Sequence, residues 1–262
     1  MAKDIAFIGF GEAGRTFAAS PAWRGIAGVY DVLTDSTETR QLQEVRYIEA
    51  GVRSALTLAE ALAGALAVLS VVTADQALAV AQEAAQHISV GTLYFDMNSV
   101  APDTKRAAAR AIEAAGGRYI DVAVMAPVDP AGLAVPLLLS GRHAADGALV
   151  LGTFGFSNVR TLPGDVGRAS SVKMIRSIMI KGIEALTAEM MLAGEAAGVT
   201  EEVLASLGGG WATKAAYNLE RMATHGLRRA AEMDEAVKTL VALGIDPVMT
   251  RATVVRQREM AA

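Results

Sequence analysis

Cysteine is absent from the 262 residues of this chain. Disulfide bonds, thiolate metal sites and cysteine nucleophiles are therefore excluded together. Long apolar runs are absent too, because no stretch of about 18 residues is free of charges and glycines, and we expect no membrane-spanning helix. The opening residues, MAKDIAFIGF, lead directly into an expected core strand. That leaves no room for a signal peptide and predicts a cytoplasmic protein.

Basic residues are also fewer than acidic residues. The 24 Lys and Arg residues are outnumbered by 28 Asp and Glu residues, which gives a formal net charge of −4. We therefore expect no general affinity for nucleic acid or acidic membranes. The histidines His87, His143 and His225 show no pairing at helical spacing, which predicts no metal site. The hydrophobic content of 52% favours a densely buried α/β protein with one large or two modest domains.

Glycine carries the most information in the turn GFGEAG at residues 9–14. The turn follows a short apolar run and precedes a helical stretch at residues 13–20, the context in which G-x-G-x-x-G spacing indicates a dinucleotide site. The first glycine permits a tight turn, the second lets the backbone approach a pyrophosphate, and the third lets the helix pack on the strand. We predict cofactor contacts from six turn residues, Gly9, Phe10, Gly11, Glu12, Ala13 and Gly14.

An acidic residue, Asp31, ends the next expected strand at residues 28–30. A carboxylate at that place accepts hydrogen bonds from an adenosine ribose and repels a 2′-phosphate. Asp31 therefore predicts NAD rather than NADP. A structural turn without any ligand is the alternative.

Strands and helices are expected to alternate as far as residue 117. Strands are predicted near 52–55 and at 66–72 and 92–96, with alanine-rich helices at 77–87 and 102–115. This order predicts a parallel, doubly wound sheet of the Rossmann type. Three further strands, at 119–124, 135–140 and 158–162, with a helix at 143–151, extend the first domain to residue 166.

Every segment after residue 167 is predicted to be helical. Ser170 or Ser171 is the expected N-cap of a long helix with periodic apolar residues at 172–192. Further helices are expected at 200–207, 211–223, 228–243 and 247–260. We therefore predict a dinucleotide-binding domain at residues 1–166 and an all-α substrate and dimerisation domain at residues 167–262.

Several polar residues share one face of the long helix, because they recur at spacings of three and four. They are Lys173, Arg176, Ser177, Lys181 and Glu184. A lysine desolvated in the first turn could exchange a proton with a substrate hydroxyl. From periodicity alone, a solvated surface face is the alternative.

The segment at residues 164–173, GDVGRASSVK, resembles the catalytic-lysine motif of the β-hydroxyacid dehydrogenase family, which includes 3-hydroxyisobutyrate and 6-phosphogluconate dehydrogenases. That motif is G-x-x-G-x-G-x-x-x-K-x-x-x-N. Gly164, Gly167 and Lys173 match it, whereas Ala169 replaces the third glycine and Ser177 replaces the asparagine. The GFGEAG turn, the segment at 30–32, and Asp-Met-Asn-Ser at 96–99 followed by a proline are also similar to the family, in the same order.

The resemblance implies a Rossmann domain followed by an all-helical domain. It implies an NAD-dependent oxidation of an alcohol, in which Lys173 takes the hydroxyl proton. It adds cofactor contacts from Val72, Thr73 and Ser99, and it places the substrate near Met125, Ala126, Arg176 and Ser177.

Two segments depart from the family pattern and predict a changed pocket. The family's D-A-P-V-S-G-G loop, which binds the substrate carboxylate, is DVAVMAP at residues 121–127. A later cofactor-facing lysine of the family falls near Glu232, where no lysine stands.

Two other functions remain alternatives. One is an imine or ketone reductase of related architecture, a type that usually lacks the lysine, and the other is a dinucleotide sensor without catalysis. The helical domain, rich in Ala, Leu and Met, is expected to pair with a second copy as a homodimer. A small molecule is the expected substrate.

Overall fold

The structure, a computed structural model, describes residues 5–261. The expectation about a signal peptide concerns residues outside that range. The chain divides into two compact units, residues 1–173 and residues 174–262. We call them the sheet unit and the helical unit. The predicted boundary after residue 166 comes just before a long helix, Arg168–Ala197, and the division between the units falls inside that helix.

One eight-stranded sheet organises the sheet unit. Its strands are β1 (Ile5–Ile8), β2 (Ala27–Tyr30), β3 (Arg53–Ser54), β4 (Ala67–Ser70), β5 (Leu93–Asp96), β6 (Arg118–Val124), β7 (Leu137–Ser140) and β8 (Val159–Thr161). Their spatial order is β3-β2-β1-β4-β5-β6-β7-β8. Neighbours are parallel throughout except for β6 and β7, which are antiparallel. The predicted doubly wound Rossmann sheet is confirmed.

Six helices connect these strands. They are α1 (Glu12–Ala18), α2 (Thr37–Glu49), α3 (Leu58–Leu62), α4 (Ala77–Ala84), α5 (Pro102–Ala114) and α6 (Ala144–Thr153). Successive side chains of a strand point to opposite faces of the sheet. Phe7 therefore joins one apolar cluster and Ile8 the other. Both faces are covered, which is why the parallel strands are continuously apolar.

Four helices follow the sheet. They are α7 (Arg168–Ala197), which crosses the division between the units, and α8 (Thr200–Ser206), α9 (Trp211–Ala242) and α10 (Val248–Glu259). The predicted all-α region is confirmed. None of the helices within residues 5–261 is long and apolar enough to span a membrane.

One prediction about the helices was wrong. Residues 211–223 and 228–243 were expected to form two helices, but α9 runs unbroken through Gly226. A Cβ atom at Gly226 would collide with the backbone oxygen of Gln257 on α10. The glycine therefore permits close packing of the two helices, and this tertiary contact outweighs its poor helix propensity.

Candidate functional site

The GFGEAG turn connects β1 to α1, and its three glycines differ in what surrounds them. Gly9 has φ +85°, and a Cβ there would lie 2.8 Å from the Val71 carbonyl oxygen. A Cβ at Gly14 would lie 3.1 Å from the Gly9 carbonyl oxygen, so this position is also close-packed. A Cβ at Gly11 would meet nothing within 4 Å. Gly9 and Gly14 thus shape the turn, and the space beside Gly11 is open to a ligand.

Asp31 lies directly beside this turn. Its Oδ2 accepts a hydrogen bond from the Phe10 N–H at 2.6 Å, and its Oδ1 accepts one from the Leu33 N–H at 2.9 Å. The side chain is largely buried. Each carboxylate oxygen has two lone pairs, so acceptor capacity remains for ribose hydroxyls. The next side chain back, Tyr30, has its pKa raised by burial and by the nearby Asp35, to which its hydroxyl donates.

The loops after β4 and β5 are joined by the side chain of Asn98. Its Oδ1 accepts the Val72 N–H at 2.7 Å, and its Nδ2 donates to Ser70 Oγ at 3.0 Å and to Asp96 Oδ1 at 2.8 Å. Sequence reasoning did not assign a role to Asn98. The sequence signal that could have found it is an amide side chain just after an expected strand, since ligands of such sheets bind at the carboxyl ends of the strands.

Lys173 lies in the second turn of α7, and its Nζ donates to Ser99 Oγ at 2.6 Å. Both side chains are half-buried. The structure thus brings together the predicted proton-transfer residue and a predicted cofactor residue. The chain enters α7 through Gly167, whose φ of +103° favours glycine and whose added Cβ would collide with the guanidinium of Arg106.

The expected N-cap of this helix was wrong. Ser170 and Ser171 do not cap it, since both lie inside α7 and donate their hydroxyls to the Gly167 carbonyl. Asp121 and Ser140, on neighbouring strands, instead accept hydrogen bonds from the backbone N–H groups at the start of the helix. Ala169, which replaces a motif glycine, is fully buried and packs against β6 and β7 through an apolar cluster.

The predicted substrate residues fall in both units. Met125 and Ala126 are half-buried in the segment after β6, where the Met125 N–H bonds to the Pro136 carbonyl at 2.9 Å. In the helical unit, Arg176 is exposed, whereas Ser177 is buried and accepts a hydrogen bond from Lys181 Nζ at 3.3 Å.

A further residue of the helical unit completes that arrangement. Glu232 pairs with Lys181, with 2.7 Å between Oε2 and Nζ. Glu232 lies near the position where the family resemblance implies a lysine. The charged face of α7 is therefore not simply solvated, because Lys181 is only 5% exposed.

A buried charge cluster at the carboxyl end of β5 and the middle of β6 was not predicted. Lys105 of α5 is fully buried, and its Nζ lies 2.9 Å from Asp96 Oδ1 and 3.6 Å from Asp121 Oδ1. The Tyr119 hydroxyl donates to Asp96 Oδ2 at 2.6 Å. Burial, followed by the charge of Asp96, raises the pKa of Tyr119 and keeps this donor protonated. We call Asp96, Lys105 and Asp121 the sheet-edge cluster.

The sheet unit therefore combines two kinds of chemistry. An open, glycine-lined turn beside a carboxylate fits an anionic diphosphate and a ribose. An amine hydrogen-bonded to a hydroxyl can exchange a proton with a ligand. Within residues 5–261, no group of three or more His, Asp or Glu side chains is placed to hold a metal ion.

Two family models match the sequence. Residues 4–145 match the NAD binding domain of 6-phosphogluconate dehydrogenase. Residues 195–260 match a domain of unknown function, DUF1932. The two models together cover the sheet unit as far as α6 and most of the helical unit.

Solved structures share the fold. A conserved hypothetical protein from Sinorhizobium meliloti is 40% identical, with 98% of this chain and 88% of that one covered and a TM-score of 0.75. The 3-hydroxyisobutyrate dehydrogenase of Mycobacterium tuberculosis is 16% identical over 99% and 94% of the two chains, with a TM-score of 0.74. A reductive aminase from Aspergillus terreus is 18% identical over 99% and 94%, with a TM-score of 0.60.

Proposed function

The chain belongs to the family of the NAD binding domain of 6-phosphogluconate dehydrogenase, and from this premise we propose that it is an NAD-dependent oxidoreductase. In this proposal it oxidises an alcohol group of a small, hydroxy-acid-like substrate, and Lys173 is the proton-transfer residue. The observation that carries the proposal is the 2.6 Å hydrogen bond between Lys173 Nζ and Ser99 Oγ. It joins the lysine to the loop after β5, at the edge of the sheet where this fold binds its ligands.

The residues of the sheet unit fit a nicotinamide dinucleotide. The turn residues 9–14 would hold the pyrophosphate, Asp31 the adenosine ribose, and Val72, Thr73 and Ser99 the nicotinamide half. When bound, the cofactor supplies a hydride acceptor. Asp31 favours NAD, because a 2′-phosphate would face a carboxylate that is fixed in place by two backbone amides. Arg40 of α2 donates from Nε to the Thr34 carbonyl at 2.7 Å.

Lys173 is suited to take the proton of a substrate hydroxyl. An amine in its neutral form can accept the proton of a substrate hydroxyl. Ser99 limits the rotation of the amine by accepting its hydrogen bond. In the sheet unit, the substrate is proposed to contact Met125 and Ala126, where an apolar segment stands in place of the polar loop of standard members of the family. In the helical unit, Arg176 and Ser177 are the proposed substrate residues.

A second candidate is reduction of an imine, since a structural neighbour is a reductive aminase. A third is a dinucleotide sensor without catalysis. Retention of Lys173 within a matched motif and within reach of Ser99 favours alcohol oxidation over both.

The decisive experiment replaces Lys173. General acid–base catalysis contributes about 10² to 10⁴-fold to the rate. In a screen of alcohols and hydroxy acids for NAD reduction, Lys173→Ala should therefore lower turnover by at least about 10²-fold. Lys173→Arg should not restore activity, because a guanidinium stays protonated. The matched control is Lys214→Ala, an exposed lysine that lies over the Trp211 ring. Full activity of Lys173→Ala would refute the mechanism, and loss of NADH binding would favour the sensor.

Cofactor choice has its own test. Fluorescence titration of the protein with NADH and NADPH should show tighter binding of NADH. Asp31→Asn keeps the shape of the side chain but removes its charge, so it should narrow the difference mainly by improving NADPH binding. Equal affinities in the parent protein would contradict the assignment to Asp31.

We further propose that the protein forms a homodimer through the helical unit. The part of α7 that belongs to the helical unit carries an apolar stripe formed by Ile175, Met179 and Leu186, each of them more than half exposed. Exposed side chains of this size in one row are typical of an interface.

A further inference from the structure

The first amides of α7 are held by two side chains of the sheet. Asp121 Oδ2 accepts the Gly167 N–H at 3.0 Å and the Ser170 N–H at 3.1 Å. Ser140 Oγ accepts the Ala169 N–H at 3.0 Å and donates to Asp121 Oδ2 at 3.0 Å. Asp121 and Ser140 are register partners on β6 and β7. We call this pair the clamp.

The charge balance shows why the clamp is placed there. Asp96 and Asp121 are at most 1% exposed, and among the described residues Lys105 is the cation that pairs with both. The cluster therefore carries an excess of one negative charge. Asp121 turns that charge toward the amide end of α7, which carries a partial positive charge, equivalent to roughly half an elementary charge. The helix end therefore offsets roughly half of this excess charge.

The same cluster reaches the cofactor side of the proposed site. Asp96 Oδ1 accepts hydrogen bonds from the Asn98 backbone N–H at 3.0 Å and from Asn98 Nδ2 at 2.8 Å. Asn98 in turn binds the Val72 N–H. A continuous buried network thus runs from Val72, through Asn98, Asp96, Lys105 and Asp121, to the start of the helix that carries Lys173.

Burial of these charges is not explained by stability alone. Well-packed apolar side chains often stabilise a core as well as a buried ion network does. An ion network differs in that its hydrogen bonds fix the relative positions of the groups they join. Here those groups are the loops of Val72 and Ser99 and the first turn of α7. A displacement of about 1 Å at a catalytic group can cost about 10²-fold in rate.

We propose that Asp121, backed by Lys105 and Ser140, is a positioning residue that acts through Lys173 by fixing the start of α7 against the sheet. The inference rests on the proposed function of Lys173. It assigns to Asp121 a role in turnover rather than in binding of the cofactor.

The test is a double-mutant cycle in the full-length protein. Asp121→Asn keeps the shape of the side chain and removes its charge, and it should lower kcat by about 10²-fold. The Kd for NADH and the substrate KM should stay within about twofold, the usual limit for independent sites. In a Lys173→Ala background the same substitution should change kcat by less than about twofold, because the group it positions is gone. Asp146→Asn, an exposed carboxylate paired with Arg118, is the matched control and should change neither.

A second variant covers the case in which Asp121→Asn does not fold. Ser140→Ala removes the neutral half of the clamp and should lower kcat with unchanged NADH affinity. The loss should again vanish in the Lys173→Ala background.

The outcomes separate the two proposals. If Lys173→Ala is fully active, the proposed function fails. If Lys173→Ala is slowed as proposed but Asp121→Asn and Ser140→Ala keep the parent kcat, only the positioning role is overturned. The same holds if their losses persist undiminished in the Lys173→Ala background.

Discussion

Each unit of the molecule buries a charge cluster, but the two clusters form hydrogen bonds to different kinds of groups. The sheet-edge cluster ends on backbone amides, those of Asn98 and of the first turn of α7. The cluster of the helical unit joins side chains only, since Glu184 of α7 pairs with Arg229 of α9 and accepts from Gln257 Nε2 of α10 at 2.9 Å. We call this second group the helix cluster. The first fixes loops and a helix end, whereas the second fixes how three helices face one another.

The apolar cores of the two units differ as well. The sheet unit packs large side chains such as Phe7, Leu69 and Phe95 on the faces of its sheet. The buried apolar cluster of the helical unit consists of Ala230, Met233, Ala236 and Val254. This cluster of the helical unit therefore packs smaller side chains, and more large apolar side chains are exposed in the helical unit than in the sheet unit.

The largest effect is expected where the sheet-edge cluster loses its cation. Lys105→Met leaves two buried carboxylates without a positive charge. Removal of one partner from a buried ion pair typically costs about 3–5 kcal/mol, and here two carboxylates are affected. Urea denaturation should show a loss of at least that size in the free energy of unfolding. A loss below about 1 kcal/mol, the range of exposed pairs, would mean that water reaches the cluster.

The helix cluster should tolerate the equivalent change better. Arg229→Met leaves Glu184 buried but still bonded to Gln257, so we expect a loss of about 3 kcal/mol, the lower end of the range for buried pairs. The double variant Glu184→Met, Arg229→Met should recover most of it, since a buried ion pair replaced by apolar side chains is often neutral. A double variant less stable than Arg229→Met alone would show that the helix cluster is needed for more than charge balance.

These clusters also show which part of the structure the sequence predicts. The glycine turn, Asp31 and Lys173 follow local rules or a motif with fixed spacing, so they could be named in advance. Lys105 could not, because on its own helix it is one of several charges at positions 103–106. Its burial depends on Asp96 and Asp121 being register partners on adjacent strands. That pairing is a long-range property of the sheet.

The unbroken α9 gives the same lesson in the helical unit. A glycine within a helical segment lowers the stability of the helix by about 1 kcal/mol relative to alanine, so local rules alone favour a break there. The close approach of α10 to Gly226 was not visible from local spacing.

The third prediction concerns the apolar stripe of the helical unit. The double variant Met179→Glu, Leu186→Glu would place four charges in a symmetric interface, and it should weaken the dimer at least about tenfold, equivalent to about 1.4 kcal/mol. Light scattering across a dilution series measures this. The control is Val90→Glu, which changes an exposed residue of the sheet unit and should leave the dimer intact. A monomeric parent protein would contradict the proposed homodimer.

The smallest effect is expected at His143, a half-buried histidine of the sheet unit that belongs to neither cluster. Burial lowers its pKa, and the guanidinium groups of Arg118 and Arg142 lower it further. The neutral imidazole is thus favoured in the folded state relative to the unfolded chain, whose histidines titrate near 6.5. Its contribution to stability is fully present above that pH and is lost as the pH falls through the lower pKa of the folded protein.

The melting temperature of the parent protein should therefore decline between about pH 7 and pH 5. His143→Gln, which cannot be protonated, should flatten part of that decline. His87→Gln, at an exposed position of the same unit, should leave the decline unchanged. If His143→Gln keeps the full pH dependence, His143 is not a source of the decline.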